Sequence, residues 1–292
     1  MVPLTPVTAL TTWQFSPPAS APLVVLAGLY LAGVRAVARR HPARPWPWGR
    51  TGAFLAGLGA AAVATQGYDA VYDDVLLPAH MVQHLLLIMV APPLLIFGRP
   101  VTLLLHATRN PWHTRVKRVV RSRAAAAATW PAFGVGVYSA VVAGTHLTPL
   151  ILATGPLHDA EHIAYLVAGY LFFLPVIGSE PARWRPSLFA RYLLLLAAMP
   201  ADVVTGAAYL LARRFGDYGT ADVHLSGLIM LAGSDVIMVA LAALLAVGLV
   251  RSPDLSPASR GSRRAPVKLE AYNAYLASLE SPDSGTASEF PS

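Results

Sequence analysis

Seven apolar blocks, at about 20–38, 51–66, 79–98, 124–146, 159–178, 191–211 and 223–250, dominate this chain of 292 residues. Most are long enough, at a helical rise of about 1.5 Å per residue, to cross a hydrocarbon layer roughly 30 Å thick. Only 13% of the residues are charged and 55% belong to the hydrophobic class. A soluble domain carries about a quarter charged residues, so these blocks are not the core of a large soluble fold. None shows the strand-like alternation that an outer-membrane barrel requires. The chain is therefore expected to be all-α: a polytopic, seven-helix transmembrane bundle of a cell membrane, inner or plasma.

The basic residues orient that bundle. Arg35, Arg39, Arg40, Arg44 and Arg50 fall in the first loop, and Arg99, Arg109, Arg115, Lys117, Arg118, Arg121 and Arg123 in the third. Arg183, Arg185 and Arg191 follow in the fifth, and Arg251, Arg260, Arg263, Arg264 and Lys268 in the tail. Arg213 and Arg214 alone lie on the other side, so 20 of the 22 basic residues occupy alternate segments. The positive-inside bias makes those segments cytoplasmic, with the N-terminus out and the C-terminus in. The net charge of +7 thus reports topology and contact with anionic membrane lipid. It does not point to nucleic acid, because the arginine runs lack interleaved aromatics and adjoin the spans.

Three regions are expected: an external segment over 1–19, a seven-helix membrane domain over 20–250, and a cytoplasmic tail over 251–292. The first segment lacks a basic stretch ahead of an apolar one, so no cleavable signal peptide is read and the first span itself directs insertion. The tail, rich in Pro, Ser and Arg, reads as mostly disordered, with a possible short helix at KLEAYNAYLASLE (268–280). Pro92-Pro93 should bend the third span, Gly98-Arg99-Pro100 should end it, and residues 101–123 form a basic amphipathic stretch suited to a membrane surface.

The histidines carry the chemical signal. HMVQH (80–84) and HDAEH (158–162) each set two imidazoles one turn apart on one helical face. Under the topology above, His80, His84, His158 and His162 open two helices at the outer face. His146 ends the fourth span there, and His224 opens the seventh. Six of the nine histidines thus reach one depth, while His41, His106 and His113 lie on the cytoplasmic side. Burying several imidazoles in a bundle is costly unless they are paired or bound to something, so a metal or cofactor site is expected.

With no cysteine in the chain, thiolate sites and disulfides are excluded. An imidazole-rich site suits copper, zinc, nickel or iron. Met199 or Met230 could add a thioether, which favours Cu(I), and Glu161, Gln83 or Asp159 could fix an imidazole tautomer. Asp202 and Asp235 lie near mid-membrane, where carboxylates are candidates for moving metal or protons. The sequence holds no phosphate loop, no GxSxG and no HExxH, and nothing in it supports an enzyme.

HMVQHLLLIMVAPPLLIFGRPV (80–101), THLTPL (145–150), HDAEHIAYLVAGYLFFLPVIG (158–178) and SGLIM (226–230) resemble the CtaG family of cytochrome c oxidase assembly factors. The likeness is to the form found beside caa-type oxidases of Gram-positive and actinobacterial organisms, and runs over roughly residues 20–250. It implies a seven-helix membrane protein needed to mature the oxidase by helping copper reach it. It further implies that His80, His84, His146, His158 and His162 are copper ligands. The seventh span departs from the family pattern, with Leu231 where the family carries Trp and with His224 at a position the family does not use.

The expected function is accordingly that of a copper chaperone of the respiratory chain. It would bind copper at an external-face His cluster and deliver it to cytochrome c oxidase subunits, from a donor protein that the sequence leaves unknown. The alternatives are a copper or proton-coupled transporter working through Asp202 and Asp235, and a redox protein binding b-type haem between histidines of two helices.

Overall fold

A computed structural model describes residues 12–67, 71–72, 76–148, 155–212 and 218–250, the last three by backbone alone. Residues 1–11, Asp69, Asp73, Asp74, Arg213, Arg214 and the whole tail with its expected helix at 268–280 lie outside the described residues. The chain up to Ala243 forms one compact unit, and residues from Leu244 onward belong to a second.

All regular structure among the described residues is helical. The helices are α1 (Pro17–Arg40), α2 (Trp48–Gln66), α3 (Leu77–Leu85), α4 (Ala91–Phe97), α5 (Pro100–Ala107), α6 (Trp112–Val120), α7 (Arg123–Ala128), α8 (Pro131–His146), α9 (Pro156–Ile177), α10 (Leu188–Leu211) and α11 (Thr220–Val250). A π-helical turn, Leu86–Val90, joins α3 to α4. Proline opens many of them, as at Pro17, Pro100, Pro131 and Pro156; its fixed φ suits the first turn, where an amide donor is not needed. Ser122 and Ser187 cap α7 and α10 by accepting from the amides of Ala125 and Ala190, the usual service of an N-cap hydroxyl.

Five stretches, Pro17–Arg40, Leu77–Ala107, Pro156–Ile177, Leu188–Leu211 and Thr220–Val247, are long and apolar enough to cross a membrane. Large apolar side chains such as Val25, Leu29, Leu196, Val236 and Val239 face outward, while His84, Asp202 and Ser226 are buried. That distribution suits a lipid solvent, and the chain is a multi-pass membrane protein. The two other apolar blocks are also helical, with differences. Over 48–66, α2 has 19 residues but is diluted by Ala and Gly. The block at 124–146 is split, because Trp130 is extended (φ −68°, ψ 127°) ahead of Pro131. A residue preceding proline is pushed out of the helical region.

The expected bend at Pro92-Pro93 takes a specific form. Neither proline has an amide hydrogen, so the carbonyl of Ile88 has no donor at i+4 or i+5. The helix widens into the π turn just upstream, and both prolines sit in the buried first turn of α4. The unclaimed carbonyl of Ile88 faces Gly169 on α9, where an added Cβ would lie 2.1 Å from that oxygen. Small residues at such crossings let membrane helices approach closely. This contact holds α9 against the segment that carries His80 and His84.

Gly98-Arg99-Pro100 ends α4 as expected, and the chain restarts at once as α5. Arg99 is left-handed (φ 51°), and Glu180 covers the new helix start. Its carboxylate accepts from the amides of Val101 (2.9 Å) and Thr102 (3.0 Å) and from the Thr102 hydroxyl (2.6 Å). Nearby, Tyr30 stacks on Phe54 with centroids 3.9 Å apart and donates to the carbonyl of Gly98 at 2.7 Å. The basic stretch 101–123 is largely helical, and α6 within it buries none of its residues.

Candidate metal centre

The i,i+4 spacing stacks two imidazoles along each of two helices. The His80 and His84 rings are 4.1 Å apart on α3, and the His158 and His162 rings 4.2 Å apart on α9. Packing of α9 against the α3–α4 segment brings the pairs face to face, with His80 and His158 stacked at 5.2 Å. His84 lies 6.4 Å from both His158 and His162. His146, the last residue of α8, approaches His84 from a third helix at 5.1 Å. Five of the six histidines expected at the outer face therefore form one cluster. The sixth, His224, is exposed, and its Nε2 lies 3.1 Å from the carbonyl of Ala212.

A ligand nitrogen from each of His80, His84 and His158 falls within 4.8 Å of the others, and all three residues are buried. Nitrogens about 2 Å from one ion stand roughly 3–4 Å apart, so small side-chain rotations would close them on a metal. The donor set suits one in a further respect. The Nε2 of His84 is buried without a hydrogen-bond partner, and so are both carboxylate oxygens of Glu161. Glu161 Oε2 lies 3.5 Å from His158 Nδ1. A buried lone pair and a buried carboxyl without hydrogen bonds are costly, and a bound cation would answer both.

The tautomers can be followed through the hydrogen bonds. His146 Nδ1 lies 2.9 Å from the carbonyl of Val142, which can only accept, so the proton is on Nδ1 and the lone pair on Nε2. That Nε2 lies 3.3 Å from His84 Nδ1, which must then donate. The remaining lone pair of His84, on its orphaned Nε2, is left for a ligand. Tyr165 stacks on His84 with centroids 4.1 Å apart. Its hydroxyl lies 3.0 Å from His146 Nδ1 and also bonds Thr145. Tyr209 donates to the carbonyl of His146 at 3.0 Å.

Sequence reading missed these tyrosines, although Tyr165 falls on the helical face of His158 and His162 at spacings of seven and three. Of the other candidates, Met230 is fully buried and Met199 half-buried. Asp202 is buried on α10, and the Tyr138 hydroxyl on α8 lies 3.0 Å from each of its oxygens. Asp235 is half-buried on α11, and Gln83 donates to the carbonyl of Ala64 at 2.9 Å.

Fold and site together define a multi-pass helical membrane protein with a buried histidine cluster. The family model for the cytochrome c oxidase caa3 assembly factor (Caa3_CtaG) matches residues 28–252, and the chain belongs to that family. Among curated proteins it is similar to Uncharacterized protein Mb0105 of Mycobacterium bovis and Uncharacterized protein MT0111 of Mycobacterium tuberculosis. Each is 32% identical over 302 residues, covering 92% of this chain and 45% of the relative. Uncharacterized protein ML1998 of Mycobacterium leprae is 29% identical over 211 residues, covering 68% of this chain and 31% of its own. The chain thus spans less than half the length of the curated relatives it matches. No solved structure matches it.

Proposed function

We propose that this protein is a non-catalytic assembly factor that holds copper as cargo in its histidine cluster and passes it to a cytochrome c oxidase subunit. The observation that carries the reading is the buried Nε2 of His84, left without a hydrogen-bond partner in the cluster that also holds His80, His158 and the Glu161 carboxylate beside it. In this reading His80, His84 and His158 hold the ion, His162 stands at the edge of the site, and Glu161 balances the cation's charge. His146 orients His84 through the Nδ1–Nε2 contact, as a group behind a metal-bound imidazole does. The chain crosses the cell membrane seven times with its N-terminus outside, which sets the cluster at the face where copper is exchanged. Membership of an oxidase assembly family supports the recipient, and the cysteine-free, imidazole-rich donor set is compatible with copper.

Elemental analysis of detergent-purified protein, beside a His80/His84/His158 triple alanine variant, tests this. About one copper per chain in the wild type, lost in the variant, is expected. No copper in the wild type after loading with copper, or equal copper in both, would remove the reading. Iron with a Soret band would replace it with haem.

A further inference from the structure

The five histidines do not meet their surroundings equally. A cavity of about 680 Å³ opens between the start of α1, the end of α2, α3 and the start of α9. Pro18, Pro22, Leu26, Leu87 and Ile163 contribute apolar wall, and Gln83, Asp159, His158 and His162 contribute polar atoms. His80, His84 and His146 are not among the described residues that line it. His158 consequently belongs to two groupings. It is one of the three buried residues whose nitrogens lie within 4.8 Å of each other, and it pairs across 4.2 Å with the half-buried His162 at the cavity.

Resting on the copper reading above, we propose that the cluster is a two-station relay. His158 and His162 form the entry station at the cavity, His80, His84 and His158 form the inner station, and His158 is retained in both. A copper ion arriving through the cavity is first bound by the His158 and His162 imidazoles. Its bond to His162 breaks as bonds to His80 and His84 form, and its bond to His158 persists. All the donors are neutral imidazole lone pairs, so the transfer changes no oxidation state and moves no proton. The ion is never without a protein ligand, which matters where stripping a cation of water is expensive. Asp159, exposed at the cavity wall, adds a negative charge where a cation enters. His162 is thereby a residue that governs how fast metal arrives rather than how much is held.

The test is the rate at which detergent-purified apoprotein takes Cu(I) from its bicinchoninate complex, followed by loss of that complex's colour, with bound copper measured at the end. His162→Ala should load at least tenfold more slowly than wild type and reach the same final copper content. Ala19→Trp, which narrows the cavity from the α1 side and replaces no histidine, should also slow loading and leave the content unchanged. His84→Ala should lower the content itself. Loading of His162→Ala at the wild-type rate would overturn the relay and leave the copper reading standing. Loss of content in His162→Ala equal to that in His84→Ala would do the same, by making the cluster one undivided site. Wild-type protein that takes up no copper would remove the copper reading, and the relay with it.

Discussion

The Nδ1 of His84 lies 3.3 Å from the Nε2 of His146, so one buried imidazole aims another. The aim is set in turn by the Val142 carbonyl, 2.9 Å from the far nitrogen of His146. If His146 orients and does not ligate, His146→Ala keeps the copper content and weakens affinity by roughly 10–100-fold, the usual cost of losing a group behind a ligand. Competition against bicinchoninate reads both quantities. A fall in copper content would make His146 a ligand itself.

Glu161 places a carboxylate, 7% exposed, beside the imidazoles with neither oxygen hydrogen-bonded. Glu161→Gln should stabilise the metal-free protein by about 1–2 kcal/mol, by replacing a buried carboxyl that makes no hydrogen bond with a neutral amide. It should also reduce the stabilisation that copper confers, by about 1.4 kcal/mol for each tenfold loss of affinity. Unfolding curves with and without Cu(I) measure both effects, and unchanged curves would separate Glu161 from the site.

The Tyr138–Asp202 pair lies on α8 and α10, and its role is separable from metal holding. Asp202→Asn should keep copper content and affinity within about twofold of wild type. Tyr138→Phe should cost about 1–3 kcal/mol, because it strips the carboxylate of that hydrogen bond in a buried site. Copper translocation into liposomes that Asp202→Asn abolishes would instead establish the transporter alternative.

Gly169 tests the packing that builds the site. An added methyl would meet the Ile88 carbonyl at 2.1 Å and Pro92 Cγ at 2.7 Å, and backbone there has little room to yield. Gly169→Ala should destabilise the protein by about 1–3 kcal/mol and reduce copper uptake, since it drives α9 away from the helix bearing His80 and His84. Thermal denaturation and copper content should fall together. A stable variant with full copper would show that this crossing does not set the site.

Glu180 supplies a pH dependence outside the spans. Burial pushes its carboxyl above the ordinary range, opposed by the hydrogen bonds from Thr102 and Val101 and by Arg99. An acid whose folded pKa is raised favours the fold while protonated, and its contribution is lost as pH climbs from the ordinary carboxylate region, near pH 4–5, through the folded value. The unfolding midpoint of wild type, measured against Glu180→Gln from pH 4 to 8, should therefore decline with rising pH. A difference that grows in favour of wild type would reverse the sign and mean that the helix-capping bonds outweigh burial.

Much of this was readable from residues alone. The i,i+4 pairs and the expected direction of their spans gathered six histidines at one face, and five of those imidazoles form one cluster. His224 was expected at the same face, but it is exposed and outside the cluster. How a helix is rotated about its axis depends on neighbours that the sequence does not name, and its imidazole points outward to Ala212. The break in 124–146 was present as Trp130-Pro131, obscured by the alanine run before it. The bend expected of Pro92-Pro93 carried no position, and the relief is displaced upstream to Leu86–Val90 because missing donors are felt at the carbonyls four and five residues before them.

That displaced relief has a consequence for how the cluster is phased. A π turn carries one residue more than the α-helical path it replaces, and one residue is about 100° of rotation at 3.6 residues per turn. Removing a single residue from Leu86–Val90 would take out that extra residue and change the phase between Leu77–Leu85 and Ala91–Phe97 by about that angle. With Pro92 and Pro93 still seated against α9, His80 and His84 would swing about a quarter-turn away from His158. The turn thus works as a vernier between two halves of one rod, letting the proline face and the imidazole face both look toward α9.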